Sequence, residues 1–254
     1  MRGWVVASWK GGVGKTTLAV HLAHGLALRG ARVVLVDTDP QATATLALGL
    51  RPEPCWLRLA LGLDEEGVER GSGRENLWVI PSDLGSAGVG AMLIARQAPV
   101  RYFVGVLRRL ARRYRYVVVD TQPSPGWVPE RLVYAADGVV IPTLADGASA
   151  DSVDLLMAAL NSMRQEWAWE GRVLGIVPVT YEGRLRTARR TLARLISDYG
   201  PLVWAPVRRA AVFRQAYERR RTVYEVDGRC GAAEECRALT ARVVQSLREE
   251  QTDG

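Results

Sequence analysis

The chain has 254 residues, of which 48% are hydrophobic and 24% charged, a composition that suits one soluble domain with a large core. No run of about 18 apolar residues occurs, which excludes a membrane-spanning helix. Cys55, Cys230 and Cys236 are too scattered for a disulfide framework or a metal site, so we expect a reducing cytoplasm.

The net charge of +7 is unevenly distributed along the chain. Residues 181–224 contain eleven arginines and three acids. A second cluster without acids consists of Arg101, Arg108, Arg109, Arg112, Arg113 and Arg115. Clustered positive charge predicts a polyanionic partner. A codon bias toward arginine would explain why only two lysines occur, but it would not concentrate the excess.

Strand-like apolar runs alternate with helical patterns along the chain. The predicted strands are 3–8, 32–37, 77–81, 116–121, 138–142, 173–179 and a short one at 202–204. The predicted helices are 16–29, 100–113, 149–167, 185–199 and 232–249. The strands are nearly continuous Val, Ile and Leu, which is typical of a parallel sheet buried on both faces. Strand–helix repetition then predicts a doubly wound, mostly parallel α/β fold. Residues 51–75 are expected to form an irregular surface excursion.

The stretch SWKGGVGKTTL, residues 8–18, lies between the first predicted strand and the first predicted helix. Its glycines let backbone N–H groups approach phosphate oxygens, and the positive end of the helix dipole points to the same anion. Lys15 is placed to contact the β- and γ-phosphates, and the Thr16 hydroxyl to bind Mg²⁺. We predict a nucleotide site formed by Lys10, Gly11, Gly12, Val13, Gly14, Lys15, Thr16 and Thr17.

This loop departs from the usual GxxxxGK[ST] pattern, because Trp9 stands at the first glycine position and Lys10 follows it. Two further motifs come at the ends of predicted strands. VVLVDTDPQATAT contains Asp37 and Asp39, and YVVVDTQPSPG contains Asp120. A capping aspartate before a Pro-initiated helix would explain one acid of the first motif but not both.

The three motifs together resemble the ParA/MinD family of deviant Walker ATPases, whose loop reads KGGxGKT, and most of all its short, Soj-like DNA-partition members. The resemblance implies that Lys10 reaches across a dimer interface to the ATP of the partner subunit. It also implies that Asp39 positions the attacking water and that Lys15 is the in-subunit phosphate contact. The implied Mg²⁺ residues are Thr16, Asp37 and Asp120.

Three positions differ from the family pattern. Trp9 replaces the usual Gln or Gly, and it can either pack at the dimer interface or cover the end of the strand. Gln122 replaces the first proline of DTPPS, which leaves the loop geometry open. The Pro-Glu pair that usually follows the strand at 138–142 is absent, so the base and ribose contacts there are open too.

Members of this family differ in what the ATP dimer binds. The tail SLREEQTDG is short and acidic, unlike a membrane-binding amphipathic helix. The cysteines do not supply an iron–sulfur pattern, and no tyrosine-rich tail is present. The DNA-binding branch therefore remains, with nonspecific contacts to double-stranded DNA. The expected DNA-binding residues are Arg184, Arg186, Arg189, Arg190, Arg208, Arg209, Arg214, Arg219, Arg220 and Arg221.

Because the loop begins at residue 10, we expect a single ATPase domain over 1–254 without an amino-terminal helix-turn-helix. The resemblance implies a cytoplasmic, nucleoid-associated homodimer with ATP and Mg²⁺ as cofactors, released from DNA by a ParB-like partner. A positioning ATPase that moves a protein cargo is the first alternative. A metabolic P-loop enzyme such as a synthetase is the second.

Overall fold

The computed structural model describes residues 3–64 and 66–248, which form one seven-stranded sheet with helices on both faces. The strands are β1 (Gly3–Val6), β2 (Val33–Asp37), β3 (Arg70–Arg74), β4 (Leu77–Ile80), β5 (Tyr116–Asp120), β6 (Gly138–Leu144) and β7 (Arg172–Val179). Their spatial order is β3-β4-β2-β5-β1-β6-β7. All neighbours are parallel except β3 and β4, so the predicted doubly wound, mostly parallel fold is confirmed.

Eleven α-helices are found among the described residues. They are α1 (Lys15–Ala27), α2 (Thr43–Ala47), α3 (Cys55–Ala60), α4 (Val89–Ala95), α5 (Tyr102–Arg113), α6 (Trp127–Ala135), α7 (Gly147–Trp167), α8 (Arg186–Tyr199), α9 (Ala211–Glu218), α10 (Val223–Val226) and α11 (Gly231–Arg248). None of these helices has both the length and the hydropathy needed to cross a bilayer.

The continuous apolar strands are explained by two cores, one on each face of the sheet. In β1, Val5 points into the core beneath α3, α5, α6 and α7, whereas Trp4 and Val6 point into the core beneath α1 and α11. Successive side chains of a strand point to opposite faces, so a strand between two cores needs apolar residues at every position. The central strands β1, β2 and β5 are buried throughout.

Most predicted elements agree with the structure to within one to three residues, but two predictions are wrong. Residues 51–75 contain α3, whose Trp56 is buried in the core, and the antiparallel edge strand β3. The short strand at 202–204 is instead a 3₁₀ turn at Gly200–Leu202, followed by a single bridge from Val203 to Ile176. Both segments are too short to show a periodic pattern. Residue 249, the end of the last predicted helix, lies outside the described residues.

A buried histidine pair fastens the carboxy-terminal part of the chain to α1. His21 Nε2 accepts a hydrogen bond from the Val223 N–H (3.1 Å), and His24 Nδ1 lies 2.7 Å from Thr222 Oγ1. The carboxylate of Glu225 lies 3.9 Å from His24 and is itself paired with Arg74. The two histidines are therefore packing and hydrogen-bonding residues of α1.

Burial of His21 and His24 predicts a pH-dependent stability. Burial lowers the pKa of each from 6.5 to about 4, although the nearby Glu225 carboxylate opposes that shift. The unfolded chain takes up these protons near pH 6.5, so the free energy of unfolding is greatest above that pH. It then falls by about 1.4 kcal/mol per pH unit for each histidine as the pH drops toward 4.

Urea unfolding followed at several pH values between 7 and 4.5 measures this slope. A His21→Gln, His24→Gln variant is the control, and we expect its stability to change much less over the same range. Equal slopes for the two proteins would mean that other groups cause the pH dependence.

Candidate nucleotide site

The loop between β1 and α1 has the geometry of a phosphate-binding loop. Gly12 (φ 73°) and Gly14 (φ 75°) adopt left-handed conformations that favour glycine. Gly14 precedes the first residue of α1, and no side chain caps that helix. The N–H groups of its first turn therefore face the loop with the positive end of the helix dipole, as an anion site requires.

Lys15 begins α1 and is 6% exposed. Its Nζ donates a hydrogen bond to the backbone carbonyl of Lys10 (3.2 Å), which folds the side chain back over the loop. Burial lowers the pKa of Lys15, while the charges of Asp120 and Asp39 oppose the shift. The ammonium group thus lies within the field of both acids.

Asp37 and Asp120 end the adjacent strands β2 and β5 and are direct neighbours in register. Both are fully buried. Asp37 accepts hydrogen bonds from the N–H (2.8 Å) and the hydroxyl (2.7 Å) of Thr45 on α2, and burial raises its pKa to about 6. Within the described residues, no donor meets full hydrogen-bond geometry with the Asp120 carboxylate, but the Thr16 hydroxyl lies close enough to lower its pKa. Its burial, together with the charge of Asp37, raises the pKa of Asp120 well above the ordinary value.

A buried carboxylate with a single, poorly aligned hydrogen-bond donor is costly unless a cation faces it. That donor is the Thr16 hydroxyl, which lowers the pKa of Asp120. Thr16 and Asp120, with Asp37 behind them, therefore fit Mg²⁺. In the described part of the chain no three His, Cys, Asp or Glu side chains are grouped to hold a metal. Proteins bind Mg²⁺ through one or two carboxylates together with phosphates and water.

Asp39 lies two residues beyond β2 and is half-buried. Its Oδ1 accepts the N–H of Gln41 (2.9 Å), and its charge acts on Lys15 and Asp120. The carboxylate therefore belongs to the same cluster as the other predicted catalytic groups. Its second oxygen is not needed to hold the turn.

Lys10 is held inside its own subunit. Its Nζ donates hydrogen bonds to Asp146 Oδ1 (3.0 Å) and Ser149 Oγ (2.7 Å). Asp146 also caps the amino terminus of α7 by accepting the N–H of Ser149 (2.7 Å). Lys10 and Lys15 thus lie in different surroundings, although their loop is shared.

Trp9 had two open roles, and the structure favours one of them. Its side chain is half-buried and packs against the core beneath α6 and α7. It shares a small cleft with Gln122 and Pro129. Trp9 therefore covers the end of β1.

A cavity of about 400 Å³ adjoins the loop. Gly14, Thr17 and Leu18 form one side. The carboxyl end of β7, residues 207–214 and one residue of α11 form the other. The residues contributed by that second side are Val179, Thr180, Val207, Arg208, Arg209, Ala210, Ala211, Phe213, Arg214 and Cys236. The sequence prediction missed this cavity, because its walls come from four separate segments. Of the predicted strands, only the one at 173–179 reaches the second side, where its last residue lies in the cavity wall.

The predicted DNA-binding arginines fall into two environments. At α8 and just before it, four exposed arginine side chains form no hydrogen bond or ion pair with any described residue; they are Arg184, Arg186, Arg189 and Arg190. Near the nucleotide cavity, each arginine is paired with an acid. Arg208 pairs with Glu235, Arg209 with Glu182 (2.8 Å) and Arg214 with Glu218 (3.8 Å). The two groups therefore differ in whether their charge is already paired with an acid inside the subunit.

The remaining three arginines, Arg219, Arg220 and Arg221, follow α9. All three are exposed. Arg220 donates a hydrogen bond to the carbonyl of Leu46 (3.2 Å) and lies over the ring of Tyr217. It therefore supports the contact between α9 and α2 as well as carrying surface charge.

A glycine-rich loop, a free helix amino terminus and two buried aspartates on adjacent parallel strands define a P-loop nucleotide-binding protein. A family model described as an AAA domain matches residues 1–170. The chromosome-partitioning ATPase Soj of Thermus thermophilus is 33% identical over 247 residues, which are 96% of each chain. The chain therefore belongs to the ParA/MinD family of ATPases, close to its Soj-like members.

Relatives with another name are also similar. The maintenance of carboxysome distribution protein A of Gloeothece citriformis is 30% identical over 192 residues, 70% of each chain. The solved ATP complex of a Cyanothece McdA variant has a TM-score of 0.86 at 23% identity, and the match covers 97% of this chain and 96% of that chain. The family and its fold are thus shared by proteins with different cargo.

The buried carboxylate of Asp120 should lower the stability of the ligand-free protein and yet be required for Mg²⁺ binding. We expect Asp120→Asn to raise the melting temperature of the ligand-free protein, because it removes a buried charge beside Asp37. A gain of about 1 kcal/mol corresponds to about 2–4 °C at this size. The same variant should lose the additional stabilisation that Mg²⁺ gives in the presence of ATP.

Differential scanning fluorimetry with and without ATP and Mg²⁺ measures both effects. Asp198→Asn removes an exposed carboxylate and is the matched control. If Asp120→Asn melts at a lower temperature than the wild type without ligand, the carboxylate is not a source of strain.

Proposed function

We propose that this chain is a DNA-partition ATPase whose ATP-bound dimer binds duplex DNA without sequence preference. The observation that carries the proposal is the set of unpaired arginines at α8 on an ATPase that resembles Soj over 96% of its length. Guanidinium groups on a helix face meet phosphates, which carry little sequence information. The proposed DNA-binding arginines at α8 do not line the nucleotide cavity.

ATP binds at the loop, with its phosphates surrounded by the N–H groups of residues 11–17 and its base in the adjoining cavity. Lys15 contacts the phosphate oxygens. The negative charges of Asp120 and Asp39 also act on its ammonium group. Thr16 and Asp120 would hold Mg²⁺, with support from Asp37 on β2. When bound, the ion would neutralise charge on the phosphate oxygens.

Asp39 orients the water that attacks the terminal phosphate. Its carboxylate has one oxygen engaged by the Gln41 N–H, so the other can accept a hydrogen bond from water. The charge of Asp39 also acts on Lys15, the predicted phosphate contact, which supports a role for the acid near the terminal phosphate. Hydrolysis takes place within a cluster formed by β2, β5 and α1.

In this proposal, the side chain of Lys10 exchanges its partners when the dimer forms. In the single subunit its ammonium group is held by Asp146 and Ser149. To reach the phosphates of a partner subunit it must leave both contacts, so dimer formation exchanges two hydrogen bonds for contact with ATP. A dimer doubles the arginine surface, and hydrolysis, stimulated by a ParB-like partner, releases it. The expected location is the cytoplasm, on the nucleoid.

A positioning ATPase for a protein cargo is the second candidate. The likeness to carboxysome distribution protein A and to McdA favours it. Such a protein would also form an ATP dimer on DNA, so DNA binding alone does not separate the candidates. Stimulation of hydrolysis does: a DNA-partition ATPase responds to a centromere-binding protein on its DNA site, whereas a cargo-positioning ATPase ignores that complex.

Lys10→Ala tests the shared active site. We expect the variant to bind ATP as a monomer but to lose ATP-driven dimerisation, because the ammonium group that crosses the interface is gone. Light scattering after size exclusion measures the dimer, and calorimetry measures ATP binding. Asp146→Asn keeps a helix-capping residue on α7 and retains Lys10, so it should still dimerise. A dimer of Lys10→Ala would contradict the proposed role.

Replacing Arg184, Arg186, Arg189 and Arg190 with glutamine tests the DNA surface. We expect loss of duplex binding with normal ATP turnover, because these side chains lie away from the nucleotide cavity. The slope of log affinity against log salt should fall by about 0.9 for each phosphate contact removed. Fluorescence anisotropy with labelled duplexes measures both quantities.

The matched control replaces the same number of arginines around α5, namely Arg101, Arg108, Arg112 and Arg115. This variant should retain DNA binding. If DNA affinity is lost with the α5 set and kept with the α8 set, the footprint lies on the opposite part of the molecule.

A further inference from the structure

A second large concavity lies away from the nucleotide loop, between α5, the end of α6 and the connection from α7 to β7. This α5 groove has a volume of about 580 Å³, within the range of ligand sites. Its lining residues are Arg101, Val104, Arg108, Tyr134, Ala135, Ala136, Asp137, Trp167, Ala168, Glu170 and Gly171. The groove contains part of the second arginine cluster, for which the proposed function has no use.

The arginine wall of the groove is unpaired. Arg101, Val104 and Arg108 are spaced i, i+3 and i+7, so they lie along one face of α5. Both arginines are exposed, and neither side chain forms an ion pair or hydrogen bond with any described residue. Arg112, one turn further along, is likewise exposed and unpaired among those residues. Free guanidinium groups on a concave surface are suited to bind carboxylates.

Two acids line the same groove, but only one remains available. Asp137 accepts the backbone N–H of Gly3 (2.7 Å), so it is engaged in fixing the start of β1. Glu170 is exposed and has no partner among residues 3–64 and 66–248. Asp137 keeps its charge but is half-buried, so the exposed charges of the lining are two guanidinium groups and one carboxylate.

The opposite wall is aromatic and rigid. Tyr134 and Trp167 form an edge-to-face pair with ring centroids 6.1 Å apart. Arg131 lies between the rings of Trp127 (4.6 Å) and Trp167 (5.0 Å), which fixes the position of the second tryptophan. A half-buried aromatic pair beside free arginines offers apolar contact and charge recognition in one groove.

The groove lies at the edge of the sheet opposite the nucleotide loop. Gly3, Asp137 and Gly171 mark the amino-terminal ends of β1, β6 and β7, whereas the loop follows the carboxyl end of β1. A dimer formed through the loop therefore leaves the α5 groove open. The helix α6 connects the two edges, because it begins seven residues after Asp120 and ends in the groove.

We propose that the α5 groove is a docking site for an acidic peptide segment of a partner protein. Arg101 and Arg108 are seven residues apart, about 10 Å along the helix axis. An extended segment in a polyproline II conformation repeats every three residues, about 9 Å. Two carboxylates three residues apart therefore match the arginine pair, and an apolar side chain between them contacts Tyr134 and Trp167.

Duplex DNA fits this site less well. The groove is concave, and the exposed carboxylate of Glu170 in its lining repels the closely spaced phosphates of a polyanion. A peptide can place its own N–H groups against Glu170 instead. The proposal concerns the groove alone and holds whether or not the chain partitions DNA.

The probe is the capped peptide Pro-Glu-Pro-Leu-Glu-Pro, with a control peptide that has Gln in place of both Glu residues. The protein is labelled with ¹⁵N at its eight tryptophans, and Trp167→Phe assigns the indole signal of Trp167. We expect the acidic peptide to shift that signal and saturate, and the control peptide to bind about tenfold more weakly. Added salt should weaken the acidic peptide only.

Two variants test the charges. Arg101→Gln with Arg108→Gln should weaken binding of the acidic peptide about tenfold, whereas Glu170→Gln should strengthen it. Arg184→Gln with Arg189→Gln, which removes the same charge at α8, should leave binding unchanged. All substituted residues are exposed, and circular dichroism confirms folding.

Equal binding of the two peptides would overturn the proposal, and so would a saturated Trp167 signal that does not depend on Arg101 and Arg108. Absence of any shift at millimolar peptide would do the same. If duplex DNA shifts the Trp167 signal in a manner that requires those arginines, the groove belongs to nucleic acid instead.

Discussion

The nucleotide site depends on two buried carboxylates that the sheet places side by side, only one of which is well hydrogen-bonded. Asp37 and Asp120 are register partners on β2 and β5, and each is fully buried. Thr45 satisfies the first with two hydrogen bonds, whereas the second has, among the described residues, no more than the nearby Thr16 hydroxyl. A parallel sheet with a core on each face forces both acids into low dielectric, so a bound cation would offset the cost of burying them.

The sequence was sufficient for the elements that a parallel sheet controls. Runs such as Val33–Asp37 and Tyr116–Asp120 must be apolar at every position, so their pattern identified them almost to the residue. It was also sufficient for the loop, because glycines at φ near +75° and a following helix leave few alternatives. These features are local, and local chemistry is visible in sequence.

The features that were missed are those that require distant segments to meet. The helix α3 is six residues long, and only the burial of Trp56 shows that it belongs to the core. The cavity beside the loop and the pairing of Arg208 with Glu235 depend on where four segments come together. Charge counting treated residues 181–224 as one basic surface, because a sequence does not show which arginines an acid already neutralises.

The scarcity of lysine has a practical consequence. Lys10 and Lys15 are the only primary amines on side chains, and they differ in access: the side chain of Lys10 is 31% exposed, whereas Lys15 is 6% exposed. An acylating reagent at neutral pH therefore has one accessible side-chain target apart from the amino terminus. Its rate of modification reports whether the ammonium group of Lys10 is held against α7, free in water or covered by a second subunit. The rate of Lys10 modification can therefore be used to follow dimer formation.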